Sequence, residues 1–156
     1  MSNNKNLTSE QKLILFEEET EAPGSSKLNN EKREGSYHCV NCGVKLFESN
    51  TKYESGSGWP SFFQSLPDVF ETKTDHHLGY ARTEYHCKNC GGHHGHIFND
   101  GPQPTGKRYC NNGVCLIFKE KINKFILINL VTYFLFLKLL TLQNHLHGNH
   151  QKIFVE

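Results

Sequence analysis

Four of the six cysteines stand in two short knuckles of one design, Cys39-Val40-Asn41-Cys42-Gly43 and Cys87-Lys88-Asn89-Cys90-Gly91. Two such pairs supply four thiolates, the full donor set of a closed tetrahedral zinc site. The glycine after each pair lets the backbone turn tightly around a metal, where a Cβ would cost energy. The pairs are 44 residues apart, residues 43 to 86. That exceeds a compact zinc ribbon, so a shared ion would tie together distant parts of the fold. Four protein ligands leave no position for water, which makes the metal structural. Thiolate donors and the lack of an obvious electron-transfer partner favour zinc over iron. A redox dithiol is the alternative for either pair, but two matching knuckles point to metal.

The chain has 156 residues, enough for one domain with a real core helped by a metal staple. Its formal charge of +1, with acids and bases interspersed, excludes a general nucleic-acid binder. Thiols arranged for metal, and a polar start from Met1 to Gln11 without an apolar targeting core, indicate a reducing compartment, the cytoplasm.

Along the chain, the capping-box spacing of Thr8 and Gln11 predicts a helix over residues 8–19, with Leu13, Ile14 and Phe16 as its apolar face. From Ser36 to Phe118, short apolar runs broken by Gly, Pro, Asn and Asp predict a mainly β core. The best strand candidates are Tyr37–Cys39, Lys45–Phe47, Tyr80–Tyr85 and Cys115–Phe118. Residues 125–142 are rich in Phe, Leu and Ile, yet Asn129, Thr132, Tyr133 and Lys138 interrupt them. The unbroken apolar length falls short of the ~18–20 residues of a bilayer span. The expectation is a packed helix or peripheral extension over residues 119–156, membrane contact being the lesser alternative.

Three further stretches carry chemistry. Gly56-Ser57-Gly58-Trp59-Pro60-Ser61-Phe62 holds the only tryptophan in a rigid turn, where its indole either bounds a small apolar pocket or fills the core. His93-His94-Gly95-His96 offers general acids, water-positioning groups, metal ligands or simply solvated imidazoles. In Arg108-Tyr109-Cys110 a guanidinium beside a thiol favours the thiolate, the reactive form. This polar, cationic setting argues against an inert buried cysteine.

Together these motifs resemble the methionine-R-sulfoxide reductase family, MsrB, over residues 8–118. The stretches carrying the resemblance are Glu31-Lys32-Arg33-Glu34-Gly35, both knuckles, Ser55 to Phe62, Arg82-Thr83-Glu84, Gly95-His96-Ile97-Phe98, Asp100-Gly101-Pro102, Pro104-Thr105-Gly106 and Arg108-Tyr109-Cys110. The resemblance implies two antiparallel sheets stapled by structural Zn2+ on Cys39, Cys42, Cys87 and Cys90. It makes Cys110 the nucleophile that attacks the sulfoxide sulfur and becomes a sulfenic acid. His93 and His96 would act as acids or position water, Arg108 and Asp100 would tune and orient the site, and Asn112 would support it. Trp59 and Phe98 would bound the substrate pocket. The substrate would be methionine-R-sulfoxide, free or in proteins, with thioredoxin, glutaredoxin or a small thiol as reductant. A non-enzymatic zinc-stapled binding module of the same fold is the competing reading.

Several positions depart from the family pattern. Ser57 stands where many members have a resolving cysteine, so recycling would fall to an external thiol. Cys115 is the spare thiol, five residues from Cys110 and expected to face away from it. His94 and Asn111 replace usual apolar residues and would cost packing if buried. Glu19-Thr20-Glu21 replaces a usual Gly-Thr-Glu.

Overall fold

The computed structural model describes residues 6–76, 79–122 and 132–142. Two compact units divide the chain, Met1–Glu120 and Lys121–Glu156. The first is mainly β. Strands β1 (Gly35–Cys39), β2 (Lys45–Glu48) and β9 (Leu116–Glu120) form an antiparallel sheet in the order β2-β1-β9. The second sheet has the order β3-β4-β8-β7-β6-β5 and is also antiparallel. Its strands are β3 (Lys52–Tyr53), β4 (Ser61–Phe62), β5 (Phe70–Asp75), β6 (Arg82–Cys87), β7 (His93–Phe98) and β8 (Arg108–Asn111).

Aromatic rings fill the main core. Tyr37 and Phe47 from the first sheet meet Phe62 and Tyr85 from the second, all four fully buried. Phe47 stacks on Phe62 at 4.1 Å, and Tyr37 meets Phe62 edge-on at 4.8 Å. Such pairs add about 0.5–1.5 kcal/mol each beyond their buried area.

Helix α1 (Ser9–Glu17) begins as the sequence predicts. Gln11 N–H donates to Thr8 Oγ1 (3.1 Å), and Thr8 N–H donates to Gln11 Oε1 (2.9 Å). Its buried face differs from expectation. Ile14 and Leu15 are buried, whereas Leu13 and Phe16 are 52% and 49% exposed. The helix lays only this narrow stripe on a satellite core of Leu7, Val40 and Cys115. Gln11 Nε2 donates to the Val114 carbonyl and fixes the rotation. Two strand expectations shift as well. Tyr80 and Ala81 precede β6, and Cys115 closes a 3-10 turn (Gly113–Cys115) before β9.

The second unit has one described helical stretch, residues 132–142, with exposed side chains. Among the described residues, no helix is long and apolar enough to cross a membrane. The remainder of the 119–156 extension beyond residue 122 lies outside the described residues.

One irregularity in β7 matters most. Across β6 and β7, Tyr85 pairs with Gly95 but His86 pairs with His93, so His94 is an extra residue, a β-bulge. The bulge turns His94 into the core beside Phe70 and Tyr85, fully buried. Neither ring nitrogen of His94 finds a hydrogen-bond partner. The neighbouring Asn111 amide is already engaged, accepting from Tyr85 Oη (2.9 Å) and donating to the Asn112 carbonyl (2.7 Å). Of the two polar departures from the family pattern, Asn111 makes hydrogen bonds through both amide atoms, whereas His94 has only the nearby Asn111 side chain, short of hydrogen-bond geometry. Burial holds the His94 pKa down to about 4.

His94→Leu should stabilise the protein by about 1–3 kcal/mol at pH 7, the cost of a buried unpaired polar group. The gain should grow as the pH falls. The unfolded imidazole binds a proton below ~6.5 while the folded one stays neutral, so wild type loses stability from about pH 6.5 down to about 4. Urea titrations of both proteins at pH 7 and pH 5 would show it. The same stability difference between the two proteins at both pH values would contradict a buried neutral imidazole at the bulge.

Candidate active site

The four knuckle cysteines converge, their sulfurs lying within 4.8 Å of one another. Cys39 and Cys90 sulfurs are 3.7 Å apart, and those of Cys42 and Cys87 are 3.6 Å apart. Sulfurs ~2.3 Å from a central zinc stand about 3.8 Å apart on a tetrahedron, so the donor set fits that metal. Cys39 ends β1 in one sheet and Cys87 ends β6 in the other, so the cluster joins the two sheets. Each knuckle turns the same way, Gly43 N–H donating to the Cys39 carbonyl and Gly91 N–H to the Cys87 carbonyl. Both glycines have positive φ, 76° and 72°.

The second sheet carries a row of chemistry across its strands. Ser61 of β4 pairs with Cys110 of β8, Cys110 with His96 of β7, His96 with Glu84 of β6, and Glu84 with Lys73 of β5. Cross-strand partners share a face of the sheet. The bulge at His94 brings His93 into phase with this row, although a spacing of three along a regular strand would point it away. The rings of His93 and His96 meet edge to face, 5.6 Å apart.

Cys110 opens onto a cavity of about 100 Å³. Trp59 and Phe98 give it aromatic walls, and Thr20, Arg82, Gly95, His96 and Asn112 complete the lining. His93 stands behind this surface, fully buried, and Arg108 and Asp100 also stand outside the lining. Five of the eight predicted catalytic and substrate residues thus share the cavity: Cys110, His96, Asn112, Trp59 and Phe98. The other three support it from behind or beside.

Arg108 forms a two-pronged pair with Asp100, Nε to Oδ1 at 2.8 Å and Nη2 to Oδ2 at 2.9 Å. It also lies over the Phe98 ring at 4.3 Å, which fixes that wall of the cavity. Half-burial decides the Cys110 thiol. Desolvation pushes its pKa up, and the Ser57 hydroxyl at 3.8 Å together with Arg108 only partly offsets this. The expectation that the guanidinium would leave a thiolate is therefore corrected. Loss of water around the sulfur outweighs the lowering by Ser57 and Arg108, and the Asp100 carboxylate adds a smaller push in the same upward direction.

His96 is also held below its ordinary pKa by burial. Its Nε2 lies 3.0 Å from Asp75 Oδ2, and the Arg82 guanidinium pairs with the same carboxylate oxygen. The Nε2–H tautomer donates to Asp75 and leaves Nδ1 as an acceptor. His93 is driven further, to about 3, by burial and by the surrounding imidazoles.

Glu21 organises the opposite side, through contacts with residues far away in the chain that no local pattern announces. Trp59 Nε1 donates to the Glu21 carbonyl at 3.0 Å, and Glu21 N–H donates to Asn112 Oδ1 at 3.1 Å. Its buried carboxylate accepts from the backbone N–H groups of Gly113 and Val114. One residue thus positions both the indole wall and Asn112. Asp75 is a second such residue, its part depending on pairing opposite Arg82.

Comparison with known proteins places this arrangement. The SelR domain model matches residues 7–120. "Peptide methionine sulfoxide reductase MsrB" of Pseudomonas putida (strain W619) is 50% identical over 117 residues, covering 74% of this chain and 87% of that protein. The protein of the same name from Leptospira interrogans is 50% identical over 118 residues, covering 75% and 90%. That of Leifsonia xyli is 48% identical over 119 residues, covering 75% and 86%. The chain belongs to the MsrB family of methionine sulfoxide reductases, defined by the SelR domain.

The titration of Cys110 can be read from the pH dependence of its alkylation by iodoacetamide. Wild type should react with a midpoint above the usual thiol range. Arg108→Ala should move the midpoint up and Asp100→Asn should move it down, since the guanidinium favours the thiolate and the carboxylate opposes it. A wild-type midpoint below the ordinary thiol value would contradict the dominance of burial.

Proposed function

We propose that this chain reduces the R epimer of methionine sulfoxide to methionine, with Cys110 as the nucleophile. The observation that carries the reading is the small cavity in which the Cys110 thiol faces the aromatic walls of Trp59 and Phe98. Its volume of about 100 Å³ suits the methylsulfinyl end of one side chain. The apolar walls take the methyl group, and the polar lining of His96, Asn112 and Arg82 takes the oxygen.

The chemistry follows from the protonation states. Cys110 arrives as a thiol, since burial raises its pKa. The neutral His96, anchored through Nε2 to Asp75, relays that proton towards the sulfoxide oxygen as Sγ attacks the sulfoxide sulfur. In the resulting adduct the oxygen shifts to Cys110 Sγ: the new S–O bond forms as the substrate S–O bond and the transient S–S bond both break. Methionine leaves reduced by two electrons, and Cys110 becomes a sulfenic acid, oxidised by two. Proton transfer by a positioned group is worth about 10²–10⁴ in rate.

Recycling consumes two external thiols. The first condenses with the sulfenic acid to a mixed disulfide and releases water, and the second displaces Cys110 and leaves as the oxidised disulfide. An internal partner is poorly placed. Ser57 occupies the nearby position without a sulfur, and Cys115 is buried in the satellite core with its pKa pushed up by desolvation. Thioredoxin, glutaredoxin or a small thiol fits this need. Zinc held by Cys39, Cys42, Cys87 and Cys90 would link the sheets, and a reducing cytoplasm suits cysteines kept out of disulfides. No observation favours the binding-module alternative, for which a thiol in a walled cavity has no use.

The test is turnover of separated R and S epimers of a blocked methionine sulfoxide with dithiothreitol. The expected outcome is reduction of the R epimer alone, lost by at least 10³-fold in Cys110→Ser and retained in Cys115→Ser. Folded, metal-loaded wild type that reduces neither epimer would overturn the reading.

A further inference from the structure

The two knuckles are longer repeats than their cysteines suggest: Tyr37-His38-Cys39-Val40-Asn41-Cys42-Gly43 and Tyr85-His86-Cys87-Lys88-Asn89-Cys90-Gly91. Both histidines use Nδ1 in the same way. His38 bonds the Gly43 carbonyl at 3.0 Å, and His86 bonds the Gly91 carbonyl at 3.2 Å. A carbonyl accepts only, so Nδ1 carries the proton and Nε2 carries a lone pair. At His38 that lone pair is satisfied, with Ser36 Oγ at 2.9 Å. In the second repeat the residue at the Ser36 position is Glu84, and His86 Nε2 has no hydrogen-bond partner.

Glu84 Oε1 lies 3.4 Å from His86 Nε2 and 2.5 Å from His93 Nδ1. Neither approach has hydrogen-bond geometry, and both nitrogens of the fully buried His93 are unpartnered. The other carboxylate oxygen of Glu84 faces Lys73, 3.5 Å away. All three donors lie within 4.8 Å of one another. Two imidazole nitrogens and a carboxylate oxygen form a donor set suited to zinc, cobalt or nickel. Donors ~2.0–2.1 Å from such an ion stand about 3.3 Å apart on a tetrahedron, so the His86–Glu84 spacing already fits and the His93–Glu84 contact need open by roughly 0.8 Å. The His86 Nδ1 bond to a backbone carbonyl is the outer contact that orients metal-binding imidazoles.

We propose that Glu84, His86 and His93 form a second divalent transition-metal site, separate from the four cysteines, with a position left for water or another ligand. Lys73 stands beside the carboxylate as the competing cation. Because His93 packs against His96, an ion here locks the ring that backs the cavity and slows reduction. This last consequence rests on the reductase reading.

The probe is Co2+ added to protein whose cysteine cluster is filled with zinc, with bound metals counted after gel filtration. Wild type should hold one zinc and one cobalt, and the cobalt spectrum should lack the intense near-ultraviolet thiolate band. His86→Ala should weaken cobalt binding at least tenfold while keeping its zinc. His86→Gln, which retains a donor for the Gly91 carbonyl, should do the same if the alanine variant misfolds. No bound cobalt, a thiolate band, or cobalt retained in the His86 variants would overturn the site.

Single-turnover methionine formation by reduced, thiol-free enzyme then reads the consequence. Cobalt should slow wild type at least tenfold and leave His86→Ala unchanged. Undiminished turnover with cobalt bound would overturn the inhibition. Wild type inactive without cobalt would count against the reductase reading alone, and the metal count would still decide the site.

Discussion

The close approach of β7 to β8 at Gly95 is the constraint on which the site depends. Gly95 has φ of 148°, and a Cβ there would sit 2.0 Å from the Cys110 carbonyl oxygen. Only glycine lets the two strands come together at this point. The same half-turn of chain contains the bulge at His94, which puts His93 and His96 on one face and sends the extra ring into the core. Backbone geometry thus brings Cys110, His93, His96 and the carboxylates of β5 and β6 to one face of the sheet. The cost of that geometry is visible as well, in the unpartnered imidazole of His94.

Two supports hold this face in place. The cysteine cluster joins the end of β1 to the end of β6, so a metal there fixes the first sheet against the second close to Glu84, His86 and His93. Glu21 does the equivalent work at the other side of the cavity. It spends its carboxylate on the Gly113 and Val114 amides and its backbone on Trp59 and Asn112. A buried carboxylate with several charge-assisted hydrogen bonds is a rigid anchor, and a fully satisfied one is worth more than its isolated parts. The cavity-lining Trp59, Arg82, His96 and Asn112 are each held by a hydrogen bond or ion pair to Glu21 or Asp75.

The parts of the fold visible from sequence were those whose chemistry is local. The four cysteines, the capping box at Thr8 and the family stretches around Trp59 and Cys110 declare themselves within a few residues. Strand β7 did not, since its three histidines and Gly95 carry little β propensity and its phase is reset by the bulge. The outward face of α1 was misjudged because Leu13 and Phe16 are apolar yet meet nothing in the described structure comparable to the Leu7, Val40 and Cys115 patch. Asp75 and Glu21 gained their roles from residues distant in the chain. The protonation of Cys110 was the instructive miss. Adjacency to Arg108 suggested a thiolate, but a sequence cannot show that Asp100 occupies the guanidinium and that the sulfur is half out of water.

In the proposed reaction Cys110 takes the oxygen of the substrate. The most direct test is to expose reduced, thiol-free protein to the R epimer in the presence of dimedone, which captures sulfenic acids, and to map the adduct by peptide mass spectrometry. One dimedone adduct should form, on Cys110, with the R epimer and not with the S epimer. Methionine released with the adduct on another cysteine, or with none at all, would contradict that reaction.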